Sequence, residues 1–587
     1  MTGYEIQQFE FDAESMGTGT GHRTAVARRL SNWPVVYVIN RPSRGAKTPG
    51  SIYFGETLSF VKRMRQHLES PEKQQLRTVR VVLDETFNKS VCLDLESQLI
   101  KLAAGDGSHE VLNRNDGVVD ADYYERDRYR EVFSEIFEEL RKEGLFQRSI
   151  PEIINSELFK LSPFKALNDD QAIAVMDIME GLAEDLIEDM GRGNLIFVQG
   201  DPGTGKTVVA IYLIKLLRDI SQFRDGEDLD GDTMFSEFFL SGTRERFKDL
   251  KIGIVVPQQA LRSSIKKVFA RTPGLDKFMV LSAFEVADTQ ETFDVLVVDE
   301  AHRLSQYSSQ AVPVLTKRYK DTNERLFSGE NPKATQVDWL RAKSRYVLLM
   351  LDLDQTIRPG DFATEEFRKL IDEAPEGRKY RLHTQMRSLG GQDYIDYISK
   401  VLSAFPPEES LRFEGYEIGL VESPGRLVEL IDAREEKHGL SRLLAGFAWE
   451  WKSKKDKEAI DIDLGPGLRR QWNTKVTDWV ISKNATKEIG SIHTIQGYDL
   501  NYAGVIIGRD LQYTPDRGLF IDRSNYFDTK GKSDNKMGGR VTTDEMLFTF
   551  ITNIYSVLLT RGIKGTFIYA VDPGLRAYLR RYFEVVP

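Results

Sequence analysis

Residues 200–207 read Gly-Asp-Pro-Gly-Thr-Gly-Lys-Thr. Glycines let a loop curl until its backbone N–H groups converge on phosphate oxygens, so Gly200, Asp201, Pro202, Gly203, Thr204 and Gly205 would cradle a phosphate chain. Lys206 would neutralise the β- and γ-phosphates of ATP, and Thr207 would ligate Mg²⁺. Residues 295–300 read Val-Leu-Val-Val-Asp-Glu, an apolar run ending in two carboxylates. Asp299 would also hold Mg²⁺, and Glu300 would orient or deprotonate the attacking water. A third set lies upstream. Tyr53-Phe-Gly55 is followed by Arg63 and His67, eight and twelve residues after Gly55, with Tyr37 before it and Glu96 beyond.

At i,i+4 spacing, Arg63 and His67 share one helix face. Phosphodiester hydrolysis needs a base, a metal and charge neutralisation. Tyr37 is the candidate base, with Tyr53 or His67 as alternative proton relays. A phenol of pKa ~10 needs neighbouring positive charge to act as a base near neutrality. Arg63 can clamp a phosphate through two parallel hydrogen bonds. Glu96 offers one hard oxygen, and Mg²⁺ tolerates a single protein carboxylate plus waters. Taken singly, duller readings prevail: Tyr37 and Tyr53 as core aromatics, Arg63 and His67 as a solvated face, Glu96 as an exposed helix residue. Only the combined spacing points to chemistry.

The elements that must carry these groups follow from periodicity. Val35–Asn40, Ser51–Gly55 and Thr78–Leu83 read as strands, and Thr57–Leu68 and Val91–Leu102 as helices. Residues 113–117 read as a turn, and residues 1–30, rich in Gly and Thr, as poorly ordered at the start. A charged helical connector is expected over 120–165. From Leu167, strands alternate with helices, the signature of a parallel sheet. The expected strands are Leu195–Gln199, Ile252–Val256, Phe278–Leu281, Val295–Val298 and Tyr346–Asp352. A second alternating region begins near Lys379, with strands at Thr477–Ile481, Ser491–Thr494, Val505–Gly508 and Gly565–Ala570. Asp225–Asp232 lacks calcium-loop spacing and reads as a solvated loop. Ser221–Asp249 and Gln306–Lys343 read as insertions without an assigned role.

Over residues 165–575 the chain resembles superfamily 1 helicases, and more closely the Schlafen group 3-like DNA/RNA helicase domains. That resemblance implies tandem RecA-like domains, 166–360 and 361–587, and roles for further residues. Leu167-Asn-Asp-Asp-Gln171 resembles the adenine-reading segment, with Gln171 as the reader. Asp352-Leu-Asp-Gln355 resembles the sensor motif, with Gln355 on the γ-phosphate or its water. Gln385-Met-Arg387 resembles the motif that carries Arg387 into the ATP cleft. Ser491-Ile-His-Thr-Ile-Gln-Gly-Tyr-Asp499 resembles the motif coupling nucleotide state to the nucleic-acid strand. Val557-Leu-Leu-Thr-Arg561 resembles the final motif, with Arg561 as an arginine finger. Either arginine alone also reads as a surface salt bridge. Val255–Leu261 matches the strand-touching segment only loosely, and no long inserted subdomain is evident in either RecA-like unit.

Residues 33–117 resemble the GIY-YIG nuclease family through Val36-Tyr37-Val38, Tyr53-Phe-Gly55, Arg63, His67, Glu96 and Asn113. The family's Gly-Ile-Tyr is here Val-Tyr-Val. The resemblance implies a small mixed α/β domain over 1–119, with Glu96 as its metal ligand.

The chain has 587 residues, room for three or four domains, with ordinary hydrophobic (41%) and charged (29%) fractions. No apolar run approaches the roughly 20 residues of a membrane span. The start, with Glu5, Glu10 and Asp12, does not read as a signal peptide. One cysteine, Cys92, excludes an intrachain disulfide and a thiolate zinc site, and fits a reducing cytoplasm. The net charge of −10 argues against a surface-wide nucleic-acid binder but leaves room for a local basic track. The expected partner is DNA or RNA, single-stranded or junction-containing. The leading expectation is an ATP-driven motor fused to a metal-dependent nuclease. The alternatives are a motor whose N-terminal fold only binds, and a nucleotide-controlled switch that does not translocate.

Overall fold

The computed structural model describes residues 3–587 apart from 19–24, 43–49, 114–121, 166, 188–190, 225–233, 311, 385–387, 476–478 and 496–497. The turn expected at 113–117, the acidic loop at 225–232, and the motif segments at 385–387 and 496–497 therefore fall wholly or largely outside the described residues. The chain forms two compact units: Met1–Met176 with Ile211–Leu250 and Ser264–Met279, and Asp177–Ala210 with Lys251–Ser263 and Val280–Pro587.

In the first unit, five strands lie in the order Tyr4–Glu10, Thr78–Asp84, Val35–Arg41, Gly50–Thr57, His109–Val111. Successive side chains in a strand point to opposite faces. Val36, Val38, Ile52 and Phe54 therefore face one side, where helices Lys89–Asp106 and Arg126–Lys142 cover them. Val35, Tyr37, Ile39 and Tyr53 face the other, packed by Phe60 and Met64 of helix Phe60–Glu69. Two expectations are corrected. Residues Tyr4–Glu10 are not loose: they form an edge strand antiparallel to Thr78–Asp84. The charged helix at 126–142 is no free connector. Its charges hide a stripe of Tyr129, Phe133, Ile136, Phe137 and Leu140, spaced at helical period, that completes the N-terminal core.

The second unit holds two large sheets and a two-stranded antiparallel ribbon, Leu511–Thr514 with Gly518–Ile521. The first is wholly parallel, in the order Lys379–Leu382, Asn194–Gly200, Ser344–Leu351, Phe293–Val298, Ile252–Val255, Val280–Leu281. The second runs Glu417–Leu420, Gly562–Ala570, Leu500–Ile507, Ser441–Ala445, Glu488–Ser491, Arg469–Trp472, Ile462–Asp463. It is parallel except for its last pair. Near-continuous runs of Val, Ile and Leu suit strands buried on both faces.

Here too the structure corrects the reading. Lys379–Leu382 does not open the second sheet; it pairs with Asn194–Gly200 as the edge of the first. The chain crosses to the second sheet only afterwards. The segment Ser491–Thr494 is the end of a strand followed by a short helix, Ile492–Ile495. Trp479 and Val480 are buried in a turn rather than in a strand. A strand was expected there because buried turn residues and strand residues look alike in composition.

Candidate functional site

Three neighbouring strands of the first parallel sheet end level, because Val198 pairs with Met350 and Val298 with Leu349. Their C-terminal edges therefore deliver the 200–207 loop, Asp299 and Asp352 side by side, where an open α/β sheet binds ligands. Gly203 (φ 93°) and Gly205 (φ 81°) take left-handed backbone that side chains disfavour, and this turns the loop into helix Lys206–Gln222. The Thr204 hydroxyl donates to Asp201 O at 3.0 Å and staples the turn. The Lys206 ammonium folds back onto the carbonyls of Gly200 (2.5 Å) and Asp201 (2.9 Å), 3.5 Å from Asp352 Oδ2.

Thr207 Oγ1 donates to Asp299 Oδ2 at 2.8 Å. Asp299 Oδ1 is buried with no hydrogen-bond partner. A buried carboxylate oxygen without a donor is costly unless it meets a cation. Thr207 and Asp299 thus fit a hard divalent ion such as Mg²⁺. Burial, then the Glu300 charge, pushes the Asp299 carboxyl up. Glu300 behaves oppositely. Burial opposes its ionisation, yet His302, Lys206 and Arg303 together hold it below the usual carboxylate range. His302 Nε2 lies 3.0 Å from Glu300 Oε2, off the hydrogen-bond angle and an ion pair only when the imidazole is protonated. Glu300 itself sits at φ 51°, ψ 46°, a strained conformation for a side-chain-bearing residue and one met at functional sites.

Gln355 donates through Nε2 to Asp352 Oδ2 at 2.7 Å, and its Oε1 is buried without a partner. Such an acceptor can hold a water proton. The adjoining cleft of about 150 Å³ is lined by Gln199, Gly200, Asp201, Asp352, Arg368 and Arg381. Arg368 and Arg381 escape sequence reading because nothing in the chain's local order marks them as neighbours of the loop.

The second sheet approaches this edge through several contacts. Gln392 donates to Asp201 Oδ2 at 3.0 Å, and Asn553 donates to Thr356 O at 3.1 Å. Arg358, just after the Gln355 turn, binds Asp528 Oδ2 at 3.1 Å and His493 Nε2. Arg561 is buried between helix Asp544–Leu559 and strand Gly562–Ala570, with Nη1 3.5 Å from Tyr498 O. Arg387 lies outside the described residues. Gln171 belongs to the first unit. It exchanges hydrogen bonds with Asn168, N to Oδ1 at 2.7 Å and Oε1 from Asn168 N at 3.2 Å, and so caps its own helix.

In the N-terminal domain, Tyr37 pairs with Gly55 across the hairpin, where an added Cβ would collide with the Tyr37 phenol. Only glycine leaves that ring its place. Tyr37 Oη and His67 Nε2 lie 2.7 Å apart, and the Tyr53 ring is 5.0 Å from the imidazole. Burial, then Lys73 and Arg63, lowers His67 to about 2, so it is a neutral imidazole and a poor proton acceptor. Lys73, unmarked in the sequence reading, has its Nζ 3.1 Å from His67 Nδ1 and 3.5 Å over the Tyr53 ring. Arg63 is half-buried on the same helix as His67, with Nη1 3.3 Å from Gln66 Oε1. Asn113 accepts from Phe54 N (3.0 Å) and donates to Phe54 O (2.9 Å), pinning the strand.

Glu96 is half-buried on the helix that covers the opposite sheet face. Glu96 and the Tyr37–His67 pair therefore belong to opposite faces of the sheet, and the structure does not bring them together. No group of three or more His, Cys, Asp or Glu side chains suited to a metal occurs among the described residues. Nor is any helix among them long and apolar enough to cross a membrane.

Comparison with known proteins bears on the parallel sheets. The family model described as Schlafen group 3, DNA/RNA helicase domain, matches residues 193–572. The Saccharomyces cerevisiae protein YPL245W, itself uncharacterized, is 26% identical over 440 residues, covering 69% of this chain and 88% of its own. Among solved structures, arterivirus nonstructural protein 10, a helicase in complex with DNA, is 13% identical with a TM-score of 0.27. It covers 69% of this chain and 65% of that one, under two thirds of its length. Pif1 helicases at forked double-stranded DNA are 9% identical, also at 0.27, covering 72% and 95%. Likeness at such scores carries no argument about activity.

Proposed function

Because the chain belongs to the Schlafen group 3 DNA/RNA helicase domain family through residues 193–572, we propose that it is an ATP-driven nucleic-acid translocase fused to a metal-dependent nuclease of the GIY-YIG kind. The observation that carries the motor is the Thr207–Asp299 pair at 2.8 Å with its buried, unsatisfied carboxylate oxygen. Thr207 and Asp299 would hold Mg²⁺, which would supply charge neutralisation to the phosphates.

The chain's own residues supply the rest. Loop N–H groups and the helix N-terminus grip the phosphates. Lys206 exchanges its backbone carbonyls for phosphate oxygens. Glu300, kept ionised by His302 and its cationic neighbours, takes the proton of a water that Gln355 Oε1 orients. Arg561 supplies positive charge from the second sheet, a contribution of about 10³–10⁵ in rate, and the motif resemblance assigns Arg387 the same task. ATP favours the closed arrangement and hydrolysis relaxes it, so a strand of DNA or RNA bound along both sheets advances with each cycle. Arg358, joined to His493 and Asp528, ties the sensor turn to the strand-coupling segment.

The nuclease reading rests on Tyr37, Tyr53, His67 and Gly55 meeting on one sheet face. Tyr37 phenolate takes a proton from water as its oxygen attacks phosphorus, and Arg63 clamps the phosphate. Glu96, on the helix across the sheet, is the residue that the family resemblance assigns to hold Mg²⁺, which would supply charge stabilisation. A second reading, a binding module without cleavage, is favoured by the burial of Tyr37 (0% exposed) and Tyr53 (1%). Cleavage of single-stranded and junction substrates by wild type, Arg63→Ala and Glu96→Gln separates the two. Loss in both variants supports catalysis, and cleavage surviving both changes removes the assigned site.

A further inference from the structure

The lysine at position 73 belongs to no motif, yet it lies at the centre of the N-terminal site. It occupies the turn after helix Phe60–Glu69, where its N–H donates to Ser70 O at 3.1 Å and its carbonyl accepts from Leu76 N at 3.0 Å. This backbone holds a side chain only 8% exposed. Its Nζ is 3.1 Å from His67 Nδ1 and 3.5 Å above the Tyr53 ring. The other imidazole nitrogen, Nε2, is 2.7 Å from the Tyr37 phenol oxygen.

These contacts have one consistent proton assignment. An ammonium has donors and no acceptor. His67 Nδ1 facing it must therefore accept, and the single proton of the neutral imidazole must sit on Nε2. Nε2–H then donates to Tyr37 Oη, which becomes the acceptor of that bond. A second proton on Nδ1 would set an N–H against the ammonium, in line with the strongly lowered basicity of His67.

We propose that Lys73 is a positioning residue that locks His67 in the Nε2–H tautomer and thereby holds the Tyr37 oxygen as a hydrogen-bond acceptor, favouring its phenolate. The inference deepens the nuclease reading and rests on it. The Tyr53 ring anchors the ammonium by cation–π attraction, worth more where water is excluded, which gives the second tyrosine a task other than proton relay. The proton balance is simple. Tyr37 releases its proton to solvent. Its phenolate then takes one proton from the attacking water as that oxygen bonds to phosphorus. The scissile P–O bond breaks, and the leaving oxygen takes a proton from solvent. Lys73 and His67 exchange no proton in the cycle; they orient and polarise.

The test uses the full chain labelled with ¹⁵N-histidine, with His67→Gln to assign the signals. Wild type should show His67 Nε2 protonated and Nδ1 unprotonated at neutral pH. Lys73→Met should move population to the Nδ1–H tautomer, and Lys73→Arg, which keeps a donor, should restore the wild-type pattern. In metal-dependent cleavage assays, Lys73→Met should move the rising limb of the pH–rate profile upward by about one unit, the scale of a single charge-assisted hydrogen bond. A wild-type His67 with its proton on Nδ1, or ring signals unchanged in Lys73→Met, overturns the proposal. A wild type with the expected tautomer that cuts no nucleic acid sinks the nuclease reading instead and leaves the Lys73–His67 lock standing.

Discussion

Asp299 and Glu300 are adjacent in the chain, the first buried and the second half-buried, and held in opposite directions. Burial and its neighbour push Asp299 up, while His302, Lys206 and Arg303 keep Glu300 ionised. Glu300→Gln keeps the shape and removes the proton acceptor, so ATP turnover in a steady-state assay should fall at least ~10²-fold. Lys206→Ala should abolish turnover, and near-normal rates in either variant would remove the motor assignment. In the N-terminal domain, Gly55→Ala forces a methyl group against the Tyr37 phenol and should destabilise the domain by about 1–3 kcal/mol in denaturant unfolding. At this scale the sequence was informative wherever chemistry is local. The residues from Gly200 to Thr207, or the Gly55–Arg63–His67 spacing, can be read because one turn or one helix carries them. Lys73, Arg358, Arg368 and Arg381 could not be read, because tertiary packing alone brings them to a site.

The elements were legible where burial is two-sided, as in the strands at 194–200, 293–298 and 344–351. They were misread where a charged surface concealed a buried stripe, as in helix Arg126–Lys142, or where strand order departs from chain order, as with Lys379–Leu382. The contact between the two sheets includes the Arg358–Asp528–His493 cluster. Burial, then Arg358, lowers His493 to about 4. A histidine depressed below its unfolded value of 6.5 contributes stability that is fully present above that value and is lost as pH falls toward the folded one. Thermal stability should therefore fall between pH 6.5 and 4, and His493→Gln should flatten that slope. Arg358→Ala leaves Asp528 largely buried without its cation. With Arg358 itself one third exposed, the expected loss is about 1–2 kcal/mol. It should come with a larger loss of nucleic-acid-stimulated than of basal ATP turnover.

For the whole molecule, a net charge of −10 means that the proposed nucleic-acid binding would fall to a local basic track. Affinity should still fall steeply with salt, because each neutralised phosphate releases counterions. A flat response would point to a protein partner. The central claim is that the first sheet supplies Lys206, Asp299 and Glu300 to a nucleotide and the second supplies arginine. It is tested most directly by ATP turnover of wild type and Arg561→Ala, with and without single-stranded DNA or RNA, alongside nucleotide binding. The account predicts stimulation of wild type by nucleic acid, and a fall of about 10³-fold or more in Arg561→Ala with ATP still bound. Equal, unstimulated turnover in the two proteins would contradict it.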